Sequence, residues 1–360
     1  MTSSTFHLYA PATVKKSAYL VNPVFDMLFV CGGIVLLLSA AYLWRTGFGT
    51  SLAQQDTALI AFGLFGTYML SGPHTGATIV RLYGEKDSRN NFRLVAYVLP
   101  VLLTFATVAG LLVPTVAKIE AVLYLVLVIH HYMAQSYGIT MMYCARAGLR
   151  LSERDKLLPQ SILYMAVTVA IAQQFTAELQ RQSFLGIPLF RMDLLPSDVV
   201  LALQFVLIGL VVALLGQTIM QSKFSPDKVM PLPAVTTLVL TAVLLTVGNR
   251  LNDVVWLFLP HLLHSTQYLS VVLAYHLKKD TESAVAEIFD PIERMSSRFI
   301  KYFLVGLVFF TGLPIAVSAL GFSLTLCNAV VFFGLSFHHF AADACIWKLK
   351  NKTVHSRLVS

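Results

Sequence analysis

The stretch VVLALQFVLIGLVVALL, residues 199–215, contains a single polar side chain, Gln204. The hydrocarbon core of a bilayer is about 30 Å thick, so a helix needs roughly 20 mostly apolar residues to cross it. With its flanking residues this stretch forms a candidate span near 198–219. Runs of similar length and composition recur along the whole chain, which indicates an integral membrane protein.

The composition of the 360 residues agrees with this interpretation. Apolar residues make up 57% of the chain without counting glycine, and charged residues make up 12%. Soluble globular proteins average about 45–50% apolar residues with glycine included, and about 25% charged residues. This composition excludes a soluble enzyme, a disordered chain and a disulfide scaffold. The four cysteines form no C-x-x-C pair, so we interpret them as small packing residues.

Ten apolar runs are candidate transmembrane helices. They lie near 24–44, 57–82, 92–116, 118–145, 158–175, 198–219, 232–248, 251–277, 299–320 and 322–348. We therefore predict an all-α fold, a polytopic helical bundle of about ten transmembrane helices. It forms a single membrane domain over residues 1–360, with an N-terminal tail over 1–23 and a C-terminal tail over 349–360. The long loops 176–197 and 278–298 are expected to hold short interfacial helices.

The basic residues indicate how the chain is oriented. Ten spans place both termini on one side, and 21 of the 26 lysines and arginines fall on that side. Because basic loops concentrate in the cytoplasm, we expect both termini there, in the inner membrane if the source is bacterial. The net charge of +8 arises in these loops, without a basic patch interleaved with aromatics. Nucleic acid is therefore not expected as a partner.

The placement of histidine carries the functional information. Eight of the ten histidines fall in the second, fourth, eighth and tenth spans, and none falls in an odd-numbered span. These spans are parallel, and at about 1.5 Å per residue one histidine from each lies in a layer roughly 10 Å thick. Ionisable groups inside a membrane are costly and usually functional. We therefore predict a shared metal or haem site among His74, His130, His131, His261, His264, His338 and His339.

Helical geometry limits which histidines can act together. Successive helical side chains point about 100° apart, so one member of His130–His131 and one of His338–His339 is expected as a ligand. Residues three apart share a helix face, which groups His261 with His264.

Three other residues are predicted to support the site in catalysis. Tyr268 lies four residues after His264, and Asp343 lies four residues after His339, so each pair shares a face. Asp343 could orient a ligand imidazole by accepting its second N–H, and Gln135, four residues after His131, could do the same.

Short motifs at these histidines resemble the Brp/Blh family, the membrane carotenoid cleavage dioxygenases of bacteria and archaea. The matching segments are Ser-Gly-Pro-His at 71–74, Ile129-His130 with Gln135 five residues on, Leu-Pro-His-Leu-Leu-His at 259–264, and His338 with Asp343 five residues on. The third motif differs from the family in its i, i+3 spacing, Gln135 replaces an acid, and Thr78 stands where the first motif has Asp. The resemblance implies a non-haem iron held by His74, His130, His261 and His264, with His131, His338 and His339 as alternates.

The chemistry of the histidines and their depth in the membrane indicate which metal and which substrate the site would bind. Sites built from imidazoles suit iron, copper or zinc. Fe(II) is the expected cofactor, with haem b, copper and zinc as alternatives. The bilayer would supply an apolar small-molecule substrate, and an open metal position would admit O₂.

Three classes of function follow from these residues. The first is a non-haem iron oxygenase acting on a carotenoid- or isoprenoid-like lipid, of which a two-iron desaturase or hydroxylase is a variant. The second is a haem-binding electron-transfer or sensor protein. The third is a histidine-lined transporter or metal permease.

Reporter fusions test the predicted orientation. A fluorescent protein that folds only in the cytoplasm should be active after Ser360 and inactive in the 176–197 loop. Alkaline phosphatase, which is active only outside, should give the opposite pattern, because an odd number of spans separates the two positions. A C-terminus on the outer side would overturn the count of ten spans.

Overall fold

The computed structural model describes residues 17–46, 65–178, 180, 182–248, 254–281 and 290–359. The beginning of the second predicted span and of the eighth lie outside these residues, as does most of the N-terminal tail. The helices of the described chain are α1 Pro23–Val30, α2 Gly33–Thr46, α3 Gly72–Gly84, α4 Lys86–Asn91, α5 Leu94–Leu112, α6 Pro114–Arg146, α7 Glu153–Gln174, α8 Ser197–Phe224, α9 Leu232–Gly248, α10 Val254–Thr281, α11 Pro291–Ser318, α12 Leu324–Ile346 and α13 Lys352–Leu358. A π-helical turn, Thr67–Ser71, leads into α3, and a 3₁₀ turn, Pro226–Lys228, follows α8.

The prediction of an all-α fold is confirmed, and each of the ten predicted spans overlaps a helix or a bent pair of helices. In the described part of the chain, the five helices α5, α6, α8, α11 and α12 are long and apolar enough to cross a membrane. A sixth candidate is the pair α1 and α2, which is bent by 58°. The bend falls at Gly32, whose φ of 90° is unfavourable for other residues.

The loop at 176–197 forms a β-hairpin instead of the expected interfacial helix. Strand β1, Ser183–Phe184, pairs antiparallel with β2, Ile187–Pro188. Leu185 and Gly186 have positive φ, of 48° and 79°, as a two-residue hairpin turn requires. Phe184 stacks on Tyr124 of α6 with ring centres 5.3 Å apart, which fixes the hairpin to the bundle. In the 278–298 loop, α10 continues to Thr281 and residues 282–289 lie outside the description.

Helix α6 is the centre of the bundle. It packs against α5, α7, α9 and α12, and its buried residues extend from Ala117 to Cys144. Both ends of the chain are tied to it. Arg146 donates to the carbonyl oxygen of Tyr19 at 2.6 Å and to that of Leu358 at 2.7 Å. The C-terminal tail is therefore a packed helix, α13, with Val354 and Leu358 buried.

Glycines bring α3 and α11 into backbone contact. A Cβ atom at Gly76 would overlap the carbonyl oxygen of Tyr302, and one at Gly306 would overlap that of Gly72. Small residues four apart let membrane helices approach closely in this way. His74 lies two residues from both Gly72 and Gly76, so its side chain points about 200° away from this contact. The glycines thus place His74 on the face of α3 that turns toward the interior.

Adding a methyl group at Gly76 tests this contact. Gly76→Ala should lower the stability of the purified protein by about 1–3 kcal/mol, because backbone atoms of α11 cannot move aside as a flexible side chain would. Thermal unfolding in detergent, followed by intrinsic fluorescence, measures the change. The matched control is Gly209→Ala on α8, where an added Cβ meets open space. Equal melting of the two variants would show that the helices are not in backbone contact.

Candidate metal centre

One histidine from each of four helices meets in the interior of the bundle. These are His74 of α3, His131 of α6, His264 of α10 and His339 of α12, and one ligand atom of each lies within 4.8 Å of all the others. All four side chains are buried. The four helices correspond to the second, fourth, eighth and tenth predicted spans. This buried group could hold a metal ion.

The four rings contact one another around a common centre. The ring of His74 lies 4.5 Å from that of His264 and 4.3 Å from that of His339, centre to centre. The ring of His131 lies 4.7 Å from that of His264 and 4.9 Å from that of His339. The Nε2 atoms of His131 and His339 are 3.2 Å apart. Four ligand nitrogens spaced in this way approach the separations found around a single metal ion, where each metal–nitrogen bond is about 2.0–2.1 Å.

Several of these nitrogens have no protein partner. Within the described residues, Nε2 of His74 and both ring nitrogens of His264 are buried without a hydrogen bond. A buried polar atom left unpaired costs about 1–3 kcal/mol. A metal ion bound at the centre would pair with one nitrogen of each ring and so satisfy one of the two nitrogens of His264. The donor set therefore fits a transition metal of the kind that imidazole prefers.

Nitrogens that point away from the centre are held by hydroxyl groups. Thr78 Oγ1 lies 2.9 Å from Nδ1 of His339, and Ser265 Oγ lies 3.4 Å from Nδ1 of His74. Such contacts orient a ligand imidazole and fix which of its nitrogens carries the proton. Neither hydroxyl group was predicted from the sequence to support the site. The available signal for Thr78 was its position four residues after His74, on the same face of α3.

Asp343 lies beside the four-imidazole group. Its Oδ2 is 3.4 Å from Nε2 of His339 and 3.9 Å from Nε2 of His131. Its Oδ1 accepts hydrogen bonds from Thr78 Oγ1 at 2.9 Å and from Tyr268 Oη at 3.1 Å. The predicted proximity of Asp343 and Tyr268 to the histidines is therefore found. The carboxylate faces the central nitrogens, whereas the outer nitrogen of His339 is held by Thr78.

Gln135 supports the site differently from the prediction. Its Nε2 donates to the backbone carbonyl oxygen of His264 at 2.9 Å and to Oε1 of Gln267 at 3.2 Å. It therefore links α6 to α10 next to a histidine of the group, and within the described residues its hydrogen bonds go to a backbone carbonyl and another amide, not to an imidazole.

The other candidate histidines lie outside the group, and this changes the predicted ligand set. His130 is exposed, because it is rotated about 100° from His131 along α6. His261 hydrogen-bonds Tyr132 Oη through Nδ1 at 2.5 Å, and Ser71 Oγ through Nε2. His338 approaches the carbonyl oxygen of Val95 at 3.2 Å. Of the expected ligands, the structure brings together His74 and His264, and it replaces His130 and His261 by the alternates His131 and His339.

A cavity of about 280 Å³ adjoins the histidine group between α6 and α12. Its wall is mostly apolar, with His131, Tyr268 and Asp343 at its inner side. Leu127, His130 and Gly138, also part of the wall, are exposed at the surface of the bundle. The cavity therefore connects the side of the bundle with His131, one of the four grouped histidines, and with Asp343 beside it. Leu349 and Leu358, near the C-terminal end of the described chain, also line it.

No protein-family model, curated protein or solved structure matches this chain. The site is therefore defined by its own geometry, a buried four-imidazole group with a carboxylate beside it.

The two pairs of adjacent histidines give matched tests of metal binding. His131→Ala and His339→Ala should each reduce the metal content of the purified protein by at least about tenfold, because each removes a nitrogen from the centre. His130→Ala and His338→Ala, which remove the neighbouring rings, should retain the metal. Elemental analysis of detergent-purified protein, with melting temperatures to verify folding, measures both. Metal loss in His130→Ala with retention in His131→Ala would favour the ligand set first expected.

Proposed function

We propose that the protein is an integral membrane non-haem iron oxygenase that acts on a lipophilic, carotenoid- or isoprenoid-like substrate. The observation that carries this proposal is the four-imidazole group together with a mostly apolar cavity that reaches the side of the bundle and is lined by one of the four, His131. A site of this kind combines a transition metal with access for an apolar molecule from the bilayer.

The donor set supports a metal bound without a porphyrin. Two axial histidines of a haem face each other across the macrocycle, which extends several ångströms beyond the iron on every side. Here all four ligand nitrogens lie within 4.8 Å of one another. A porphyrin between any two of these rings would overlap the other two. The geometry therefore favours a single ion over haem b, while copper and zinc fit the same nitrogens.

Side chains around the proposed ion would balance its charge, orient its ligands and exclude water. Iron, when bound, would supply the activation of O₂. Asp343 places a negative charge against the centre, which offsets the positive charge of an ion buried among neutral imidazoles. Thr78 and Ser265 fix the orientation of two rings. The apolar wall of the cavity excludes water and fixes which part of the substrate approaches.

The cavity supports a lipophilic substrate taken from the membrane. Ala134 and Gly138 leave space along α6, and Phe340 forms part of the opposing wall on α12. A long apolar molecule can therefore enter from the side where Leu127 is exposed. The histidine motifs that resemble the Brp/Blh family agree with this substrate class, although the resemblance rests on those short segments alone.

We also propose that ten segments cross the membrane with both termini in the cytoplasm. Beyond the five long apolar helices and the bent pair α1–α2, the remaining crossings would be α3, α7, α9 and α10. Both α3 and α10 carry buried polar residues that face the site, including Thr78, Ser265 and Gln267. Helices shielded from lipid by their neighbours can carry such residues, which explains why they are less apolar than α8.

Expression in cells that produce β-carotene tests the activity. The wild-type protein should bleach the carotene and release an apocarotenoid that is detected in a lipid extract. His131→Ala should abolish bleaching, whereas His130→Ala should retain it. If the purified protein contains iron but the cells are not bleached, the proposal of an iron oxygenase stands and β-carotene is excluded as its substrate. Protein that holds no iron and causes no oxygen-dependent change in a lipid extract would overturn the proposal.

Filling the cavity separates substrate access from metal binding. Ala134→Trp should lower turnover by at least about tenfold while the metal content stays unchanged, because the indole would occupy the path between α6 and α12. The control is Leu123→Trp, at an exposed position of α6 outside the cavity. Equal turnover in the two variants would show that the substrate does not use this cavity.

Removing the charge of Asp343 tests the role of the carboxylate. Asp343→Asn should lower turnover or metal affinity by roughly 10–100-fold, the usual effect of losing a group that supports a metal ligand. Side-chain volume is kept, so a loss of packing does not explain the result. Unchanged metal affinity and turnover would remove Asp343 from the site.

A further inference from the structure

A second cluster of buried polar groups lies away from the histidine group, near the ends of α3, α10 and α11. We define the basic cluster as Arg81, His276, Lys279, Arg294, Arg298 and Arg357. Arg81 is on α3, His276 and Lys279 are on α10, Arg294 and Arg298 are on α11, and Arg357 is on α13. Helix α3 ends at Gly84, α10 ends at Thr281 and α11 begins at Pro291, so the cluster lies at one end of the bundle.

Contacts join four of these residues, Arg81, His276, Arg298 and Arg357, around the ring of Tyr275. The guanidinium carbon of Arg81 lies 4.1 Å from the ring centre of Tyr275, and that of Arg357 lies 5.0 Å from the same ring. The ring of His276 is 5.2 Å from that of Tyr275. Nη1 of Arg298 lies 3.5 Å from Nδ1 of His276. The aromatic ring of Tyr275 therefore lies between cations contributed by different helices.

The packing of α3 on α11 places Arg81 near Arg298. The two helices run antiparallel, with Gly72 against Gly306 and Gly76 against Tyr302. The same register, continued by one helical turn, brings residue 80 of α3 level with Arg298. Arg81 is the next residue of α3 and therefore lies close to the level of Arg298. Arg294 lies four residues before Arg298, on the same face of α11.

The acidic partners among the described residues are already engaged. Asp280 accepts from both Nε and Nη2 of Arg298, the first bond measuring 3.0 Å. Glu85 is paired with Lys279 at 2.8 Å. No carboxylate within the described ranges is paired with Arg81 or Arg294. Both guanidinium groups are nevertheless buried, with exposed fractions of 2% and 8%.

Several donors in this cluster have no acceptor. Within the described chain, Nε and Nη1 of Arg81, Nε and Nη1 of Arg294 and Nε2 of His276 are buried without a hydrogen bond. Burying a charged group without a partner costs several kcal/mol.

Arg81 is partly stabilised, because its Nη2 donates to the carbonyl oxygen of Ile346 at 2.8 Å. Its guanidinium group also lies against the rings of Tyr275 and Trp347. Neither Arg81 nor Arg294 has a carboxylate partner among the described residues, so an anion would neutralise charge that these contacts leave.

We propose that the basic cluster binds a phosphate group, either free phosphate or the headgroup of an anionic phospholipid. A phosphate offers several acceptor oxygens pointing in different directions, which matches donors that approach from α3, α10 and α11. Guanidinium groups bind such oxygens through two parallel N–H bonds, and these charge-assisted bonds are stronger than neutral ones. The position at the ends of the helices is where a bilayer presents its headgroups, and basic residues there attract anionic lipids.

Phosphate binding is measured on the full-length protein purified in detergent. Inorganic phosphate is added over a concentration series, and the apparent melting temperature is recorded with chloride at matched ionic strength as reference. In parallel, the protein is placed in lipid nanodiscs of phosphatidylcholine alone or of phosphatidylcholine mixed with phosphatidylglycerol. Stabilisation by inorganic phosphate supports binding of the free anion. Stabilisation only in the discs with phosphatidylglycerol supports a lipid headgroup.

Arg294→Gln is the main variant, because it removes a buried charge that has no carboxylate partner among the described residues and keeps most of the side-chain volume. It should weaken the phosphate or phosphatidylglycerol response by about tenfold, the loss expected for a charged hydrogen bond. Lys223→Gln, at an exposed position near the end of α8, is the control and should respond as the wild type does. The metal content of Arg294→Gln should equal that of the wild type, so this site is separable from the histidine group.

Two results would overturn the proposal. One is a wild-type protein whose melting temperature responds neither to phosphate nor to phosphatidylglycerol. The other is an Arg294→Gln variant whose response equals that of the wild type. If Arg294→Gln does not fold, Arg294→Lys replaces it. This variant keeps the charge but loses the planar pair of donors, and it should show a weakened response, whereas an undiminished response counts against the site.

Discussion

Contact between four imidazole rings in an apolar interior is the constraint on which the rest of the structure depends. A neutral imidazole has one donor and one acceptor nitrogen, and each needs a partner when water is excluded. The bundle provides partners for the outer nitrogens of His339 and His74 through Thr78 and Ser265. The inner nitrogens face one another, and several are unpaired among the described residues. Buried nitrogens without hydrogen-bond partners lower the stability of the fold, and packing of the rings does not supply those partners. A metal ion among the four rings would supply a partner to one nitrogen of each ring.

The sequence was sufficient to predict which helices build the site. Histidine occurred only in even-numbered spans and in the tails, and parallel helices with histidines at one depth can converge. The structure brings together one histidine from each of those four spans. The fold class was predictable for the same reason, since long apolar runs leave the backbone no partner for its polar groups except the helix itself.

Which member of each adjacent histidine pair joins the group was beyond the sequence, although His74 and His264 were expected. His130 and His131 have the same depth and chemistry, and only the rotation of α6 about its axis decides between them. That rotation is set by packing against α5, α7, α9 and α12, which no local pattern encodes. The choice of His264 over His261 and the bonding of Gln135 to a backbone carbonyl depend on the same tertiary contacts. The bend between α1 and α2 and the hairpin at 183–188 were likewise not predicted, since both depend on residues with positive φ.

The order of the four histidines along the chain has a consequence for biosynthesis. His74 leaves the ribosome early, whereas His339 belongs to α12, which follows the other three helices of the group in the chain. Until α12 is inserted, the other three rings lack the neighbour that completes their group. The four-imidazole group is therefore assembled late in synthesis, and before that point three membrane-embedded histidines must be accommodated without His339.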